Sequence, residues 1–416
     1  MSKINDLIKK LCPNGVEYKK VWEVTTWDKK YNAVEKSMQP RIEKYNYLLA
    51  NQLNEIVDPD GDVLILETGI NSERKYTNID LAGNNLCDAE IIAIPWGGTP
   101  NVKYYKGKFV TGDNRIAISN DINLLNTKFL YYIFENKMSE ISDFYRGSGI
   151  KHPEMKKILL MNIPIPPIDV QEEIVKILDK FGELEAELEA ELEARKSQYE
   201  FWHGKIINND NNVVELGDVC KIVGRIGFRG YTRNDLVDSK EDGAISLSPG
   251  NIKNNNLNYD DPTYVSWEKY EESPEIMVDN NDIIFCKTGS TVGKVALVQN
   301  LPHKATINPQ LVVLKELKCN PSYLTYLMGS KYFQNEVMRI KGLGSIPTIS
   351  QKDLARLKIS LPSRAEQDKI AIILDKFNTL INDISVGIPA EINLRRQQYE
   401  YYRNKLLSFE ELSVSE

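Results

Sequence analysis

The stretch Gln171–Ile207 reads "QEEIVKILDKFGELEAELEAELEARKSQYEFWHGKII". Its apolar residues Ile174, Leu178, Phe181, Leu184, Leu188, Leu192, Tyr199, Trp202 and Ile206 follow a helical period and form one seam. No proline interrupts them. A helix of about 40 residues at ~1.5 Å per residue spans roughly 60 Å. In the middle, Glu183–Arg195 repeats Leu-Glu-Ala-Glu almost three times. Such a helix cannot hide its seam alone, so it requires a partner of the same kind.

That partner is in the same chain. "ILDKF" recurs at Ile177–Phe181 and Ile373–Phe377, 196 residues apart. "IPPIDVQEEI" (Ile165–Ile174) parallels "LPSRAEQDKI" (Leu361–Ile370), and "RKSQYEFWHGKII" (Arg195–Ile207) parallels "RRQQYEYYRNKLL" (Arg395–Leu407). Upstream, "AEIIAIPWGG" (Ala89–Gly98) parallels "NDIIFCKTGS" (Asn281–Ser290). "NTKFLYYIF" (Asn126–Phe134) parallels "NPSYLTYLM" (Asn320–Met328), and "RGSGIKHPEMKKI" (Arg146–Ile158) parallels "KGLGSIPTISQKDL" (Lys341–Leu354). Blocks matched in one order mean a tandem duplication. The second seam runs through Ile370, Leu374, Phe377, Ile381, Ile384, Ile388, Tyr399, Tyr402 and Leu406. Gly387 and Pro389 should bend or interrupt that helix.

The expected fold is therefore mixed α/β, with two duplicated globules, residues 1–163 and 208–360. Two long helical segments, 164–207 and 361–410, alternate with them and pack as an antiparallel coiled-coil stalk. Short apolar runs such as "DVLIL" and "KVALV", bounded by Gly, Asn and Asp, give each globule its strands. "LIKKLCPNGVEYKKVWEV" (Leu7–Val24) parallels "WHGKIINNDNNVVELGDV" (Trp202–Val219), so the N-terminus resembles the tail of a helical segment. That suggests a circular, pseudo-two-fold arrangement.

The chain has 416 residues, 42% of them hydrophobic and 27% charged, as in an ordinary globular protein. No apolar run is long enough to span a bilayer, and "MSKINDLIKKLCP" lacks a signal-peptide core, which points to the cytoplasm. The five cysteines form no C-x-x-C pair and only three histidines could join them, so no metal site is expected. Net charge is −7, but residues 182–193 hold six glutamates and no base. The remainder is near neutral and can still present a basic face.

Enzyme motifs fail on spacing. "TGSTVGKV" (Thr288–Val295) places three residues between Gly289 and Gly293 where a phosphate loop has four, and Val295 follows Lys294. It reads as a glycine-rich hairpin. "NPQL" (Asn308–Leu311) lacks the second proline and aromatic of a base-flipping methyltransferase, and "GLG" at Gly342 follows a helical patch. "DPDGDVLILETG" carries Asp60 and Glu67 at a nuclease-like spacing, with Gly69 where a lysine would be needed. The chain reads as non-catalytic.

Two diverged α/β segments, each followed by a near-copy of Q-x-x-I-x-x-I-L-D-K-F and R-x-x-Q-Y-E, resemble the specificity (S) subunit of type I restriction–modification enzymes. "NGVEYKKVWEV", "KTGSTVGKV" and "LSPGNI" are similar to segments of that family. The resemblance implies two target-recognition domains, each reading half of a split double-stranded DNA site, and two spacer helices. It further implies docking of two methyltransferase (M) subunits, which bring S-adenosylmethionine, and a place for restriction (R) subunits. No cofactor belongs to this chain. The competing reading is a two-headed scaffold on a coiled-coil stalk that does not bind DNA.

Groove-reading loops set basic residues among glycines and aromatics. In the first globule these are Trp96, Thr99, Asn101, Lys103, Tyr104 and Lys106, with Arg146, Ser148, Lys151 and His152. In the second they are Arg225, Arg229, Tyr231 and Arg233, with the tip Lys287, Thr288, Ser290 and Lys294. Phe181, Leu184, Leu188, Leu192 and Phe377 are seam residues. Tyr199, Trp202, Tyr399 and Tyr402 read as seam too, with a partner-docking face as the alternative. Leu184, Leu188 and Leu192 keep the seam continuous through the repeat while its glutamates stay wet. The repeat would then act as a ruler, ~6 Å per unit, against base pairs ~3.4 Å apart. A solvated helix with no metric role is the simpler alternative.

Overall fold

The computed structural model describes residues 2–70, 74–207, 212–225, 231–253, 255–342, 346–383 and 385–412, with the side chains of 2–3 and 205–207 excepted. The chain is mixed α/β and splits into two compact units. Unit 1 is Met1–Ala186 with Leu394–Glu416, and unit 2 is Glu187–Asn393. Each unit thus holds one globular head, the start of the helical segment that follows it, and part of the other helical segment. Among the described residues no helix is long and apolar enough to cross a membrane.

The head of unit 1 is built on a six-stranded sheet in the order Thr25–Trp27, Asn114–Ser119, Cys87–Pro95, Lys103–Thr111, Val63–Leu66, Lys75–Thr77. All neighbours are antiparallel except Val63–Leu66 with Lys103–Thr111. Residues Ile91–Ile94 are buried on both faces, and successive side chains enter different cores because a strand alternates. Ile92 and Ile94 pack with Phe129, Leu130 and Ile133 of the helix Thr127–Asn136, while Ile91 and Ala93 pack with Leu64, Leu66 and Phe109.

The head of unit 2 repeats four of those strands in the same order: Lys221–Val223, Leu311–Lys315, Ile283–Cys286, Val295–Leu297. Its helix Pro321–Gly329 takes the place of Thr127–Asn136. A five-stranded sheet is added beyond the shared strands, and its Ile245, Leu247, Ala305 and Ile307 pack with Ile284, Ala296 and Val313 of those strands. The duplication is therefore visible as structure, and the heads diverge at their outer parts.

The central helix runs unbroken from Ile168 to Ile207. The second helical segment is interrupted, as Gly387 and Pro389 suggest: Arg364–Asn382 ends, and Ile388–Leu406 begins after a short break. In unit 1 the ring of Phe181 lies 6.4 Å from Tyr399 and 5.5 Å from Tyr402, and Glu185 pairs with Arg396. Ascending one helix descends the other, so the packing here is antiparallel. In unit 2, Tyr199 lies 6.4 Å from Phe377. Ile174, Leu178, Leu374 and Ile381 are buried, and Leu184, Leu188 and Leu192 are half-buried.

Two seam expectations need correction. Trp202 is 38% exposed, and His203 is the buried residue at 6%. From Tyr199 the seam steps by four residues rather than three, because the His203 ring stacks on Tyr199 at 5.1 Å and its Nε2–H donates to the Tyr326 carbonyl at 2.8 Å. Glu185 is not simply wet, since Arg396 covers it. The side chains of Ile206 and Ile384 lie outside the described residues.

The chain's described ends meet in unit 1. Val16 N–H donates to Glu410 O at 2.8 Å and Tyr18 Oη–H to Phe409 O at 2.9 Å. Gly15 allows this approach: its φ is +93°, and a Cβ would lie 2.5 Å from Glu410 O.

Candidate nucleic-acid interface

In the first head, the turn after Pro95 meets the hairpin formed by Tyr145–Arg146 and His152–Pro153. Tyr145 Oη–H donates to Pro95 O at 3.0 Å, Gly98 N–H to Lys151 O at 3.0 Å, and His152 Nδ1 bonds to Trp96 O at 2.7 Å. Gly98 has φ +107°, a conformation a side chain would strain. These bonds bring Trp96, Thr99, Arg146, Ser148, Lys151 and His152 into one surface. All except Trp96 are exposed. Arg146 carries an ion pair to Glu154 at 2.6 Å.

Trp96 is the rigid member. Its backbone N–H donates to Asp113 O at 3.0 Å, and the Arg115 guanidinium lies 4.4 Å from its ring. Arg115 is buried, paired with Asp113 at 2.7 Å and Asp28 at 3.3 Å. Burial raises the Asp28 carboxyl pKa, and the nearby Arg115 charge offsets only part of that rise. The sequence reading missed Arg115. Its signal is one arginine inside the apolar strand "NRIAIS".

The remaining candidates of this head lie apart. Asn101 Nδ2 donates to Thr68 O at 3.2 Å. Lys103 donates to the Glu67 carbonyl, and burial pushes its pKa down to about 8. Tyr104 donates to Glu90 at 2.9 Å, and Lys106 pairs with the same carboxylate at 2.9 Å. Lys103 and Tyr104 line a cleft with Lys128, Tyr131, Tyr132 and Asp179, beside the central helix.

The second head builds the counterpart of the Trp96–Gly98 turn with other residues. The turn after Cys286 meets the segment Pro347–Ile349. Lys287 N–H donates to Gln310 O at 2.9 Å, Gly289 N–H to Pro347 O at 2.9 Å, and Ile349 N–H to Lys287 O at 2.9 Å. Gly289 has φ +103°, matching Gly98. "TGSTVGKV" is a hairpin turn between antiparallel strands, not the start of a helix. Ser290 and Lys294 are exposed, while Lys287 and Thr288 are half-buried. Burial lowers the Lys287 pKa.

Arg225 departs from the expectation of a groove contact. It is 6% exposed and donates to Thr306 Oγ1 at 3.2 Å and Ile307 O at 3.3 Å. Its guanidinium lies 5.0 Å from the Tyr231 ring, and Tyr231 Oη is 2.6 Å from Ser246 Oγ. A side chain so enclosed supports the outer sheet and leaves little surface for DNA. Arg233 is exposed. Arg229 lies outside the described residues.

Both heads seat on their helices alike. Gln171 accepts from Asn126 N–H at 2.9 Å and donates to Leu124 O and Pro166 O at 2.8 Å. Gln367 accepts from Asn320 N–H at 2.8 Å and donates to Pro362 O at 2.8 Å. Tyr132 donates to Asp179, and Tyr326 to Asp375 at 2.8 Å.

The profile of the type I restriction modification DNA specificity domain matches residues 13–194 and again residues 208–394. The chain is 32% identical over 310 residues to the EcoR124I/EcoR124II specificity subunit of Escherichia coli, covering 71% of this chain and 74% of that one. It is 30% identical over 341 residues to a putative type I specificity subunit of Haemophilus influenzae, S.HindORF215P, covering 77% and 83%. The S subunit from M. genitalium superposes with a TM-score of 0.55 at 14% identity, covering 94% of this chain and 96% of that one. A chain solved in work on complex assembly of the type I R-M system gives 0.57 at 12% identity, covering 95% and 98%. Two DNA-specificity domains, each followed by long helices, define the class. This chain belongs to the type I restriction–modification specificity-subunit family.

Proposed function

We propose that this chain is a non-catalytic adaptor that reads an asymmetric, bipartite DNA site, one half with each head, and docks two methyltransferase subunits. The observation that carries this is the pair of matched turns. Both heads build one turn, through Gly98 and Gly289, and dress it with different side chains, Trp96 and His152 in the first against Lys287, Ser290 and Lys294 in the second. Equal frames with unequal surfaces suit half-sites that differ in sequence. The exposed Arg146, Lys151, Arg233 and Lys294 suit phosphate contacts, which usually outnumber base contacts.

Each helical segment also leaves apolar surface for a partner. In unit 1 a groove of about 680 Å³ is lined by Val175, Ile177, Phe181 and Leu184 among charged residues. In unit 2, Ile372, Ile373 and Leu380 are exposed. Duplicated faces suit two copies of one methyltransferase subunit, which would carry S-adenosylmethionine and the chemistry; restriction subunits would join that assembly. The test is to sequence methylated DNA made by the chain with its methyltransferase subunits, and by the chain alone. The proposal expects a split, asymmetric site in the first case and no methylation in the second. A continuous or symmetric site, or methyl transfer by the chain alone, overturns it.

A further inference from the structure

We infer that His152 reads one base of the first half-site as a hydrogen-bond acceptor, through Nε2, toward an exocyclic amino group in the major groove. The inference rests on the DNA-reading proposal above. A carbonyl oxygen can only accept, so the 2.7 Å bond between His152 Nδ1 and Trp96 O places the ring proton on Nδ1. In the neutral imidazole this leaves Nε2 with a free lone pair. No partner for Nε2 is found among the described residues, and the side chain is exposed.

The ring is held in place. It lies 5.2 Å from the Trp96 ring, which is itself backed by Arg115. Gly97 leaves room for it, since a Cβ there would come within 3.1 Å of His152 Cε1. The bond to Trp96 O needs a side-chain donor here, because Pro153, two residues past Lys151 as Ile349 is past Pro347, has no backbone N–H. In the second head the corresponding carbonyl, Lys287 O, is satisfied by the backbone N–H of Ile349 at 2.9 Å. The first head uses an imidazole for that bond and thereby gains an oriented acceptor at the exposed surface.

In the major groove adenine N6 and cytosine N4 are donors, whereas guanine O6 and thymine O4, at the matching places, are acceptors. An acceptor at His152 therefore favours adenine over guanine, or cytosine over thymine, at one position. Methylated sites would be mapped for the chain assembled with its methyltransferase subunits, comparing wild type, His152→Ala, His152→Gln and His152→Arg. Alanine should relax the preference at that one position by about tenfold, a single-mismatch effect. Glutamine can donate to Trp96 O and still accept through its amide oxygen, so it should keep the wild-type base. Arginine only donates, so it should invert the choice to guanine or thymine. An unchanged first half-site with alanine and arginine, or a change in both halves, overturns the assignment. A wild-type complex without a split site instead overturns the DNA-reading proposal, and this inference with it.

Discussion

In unit 1 a fully buried glutamine, Gln171, ties the head to the central helix; in unit 2 Gln367, 3% exposed, does the same at the second helical segment. Beyond these mounts and the shared strands, the exposed turns of the two heads differ. Unit 1 presents a tryptophan backed by Arg115 and an exposed histidine; unit 2 presents a lysine-flanked turn and buries Arg225 beneath an added sheet. The difference teaches that duplication preserved how a head is mounted, because the mount is buried and every bond has a fixed partner. Exposed turn residues answer only to their ligand, so they were free to diverge.

The largest effect should come from breaking a mount. Gln171→Ala removes the side-chain partner of three backbone groups and opens a cavity, and Gln367→Ala does the same with fewer bonds. Each should cost about 2–4 kcal/mol. Hydrogen exchange should show lost protection in Thr127–Asn136 for the first variant and in Pro321–Gly329 for the second. Loss in both helices from either change would break the picture of separately mounted heads.

Within unit 2, a buried and an exposed arginine can be set against each other. Arg225→Ala should destabilise that head by about 2–3 kcal/mol, since it removes a buried hydrogen-bonded charge. Arg233→Ala should leave stability within about 0.5 kcal/mol, as exposed substitutions do, and weaken DNA binding alike across sequences. Chemical denaturation and binding titrations separate the two. Equal stability of both variants would return Arg225 to the list of contacts.

The smallest effect concerns pH. His203 occupies in unit 2 the place that Arg403 holds in unit 1, where it pairs with Glu135 at 3.5 Å. Burial lowers the His203 pKa, against a smaller opposing pull from its bond to Tyr326 O and from Glu200. Below about pH 6.5 the unfolded chain therefore binds more protons than the folded one. The stabilisation is present above that pH and is lost as pH falls toward the lower folded-state value. Melting curves at pH 7 and pH 5 should show unit 2 weakening in acid, and His203→Gln, which keeps an N–H for Tyr326, should reduce that response. An unchanged acid response in the variant would remove His203 as its source.

Periodicity exposed the helices because a long seam repeats its signal many times. The break at Gly387 was legible because glycine and proline act locally. The duplication was legible in blocks that are now seen to be buried strands, helix starts and mounts; the Gln of Q-x-x-I is Gln171 and Gln367. The swap of Trp202 for His203 was not legible, since both fit a helical period and only the Tyr326 carbonyl chooses between them. Among candidate contacts, sequence could not tell exposed Arg146 from buried Arg225. Both stand among glycines, and burial of the second depends on Thr306 and Ile307, some eighty residues away.

The central claim is that two independently mounted heads read two half-sites across a gap set by the helices. Leu184, Leu188 and Leu192 are half-buried in the unbroken central helix, and exposed pairs such as Glu191–Arg195 and Glu193–Lys196 support it. Deleting Leu188–Glu191 shortens that helix by ~6 Å while nearly preserving the seam. Methylated sites should then be mapped with the methyltransferase subunits present. The account predicts that both half-sites keep their bases while the unread gap shortens by about one to two base pairs. An unchanged gap, or altered bases within a half-site, would contradict it.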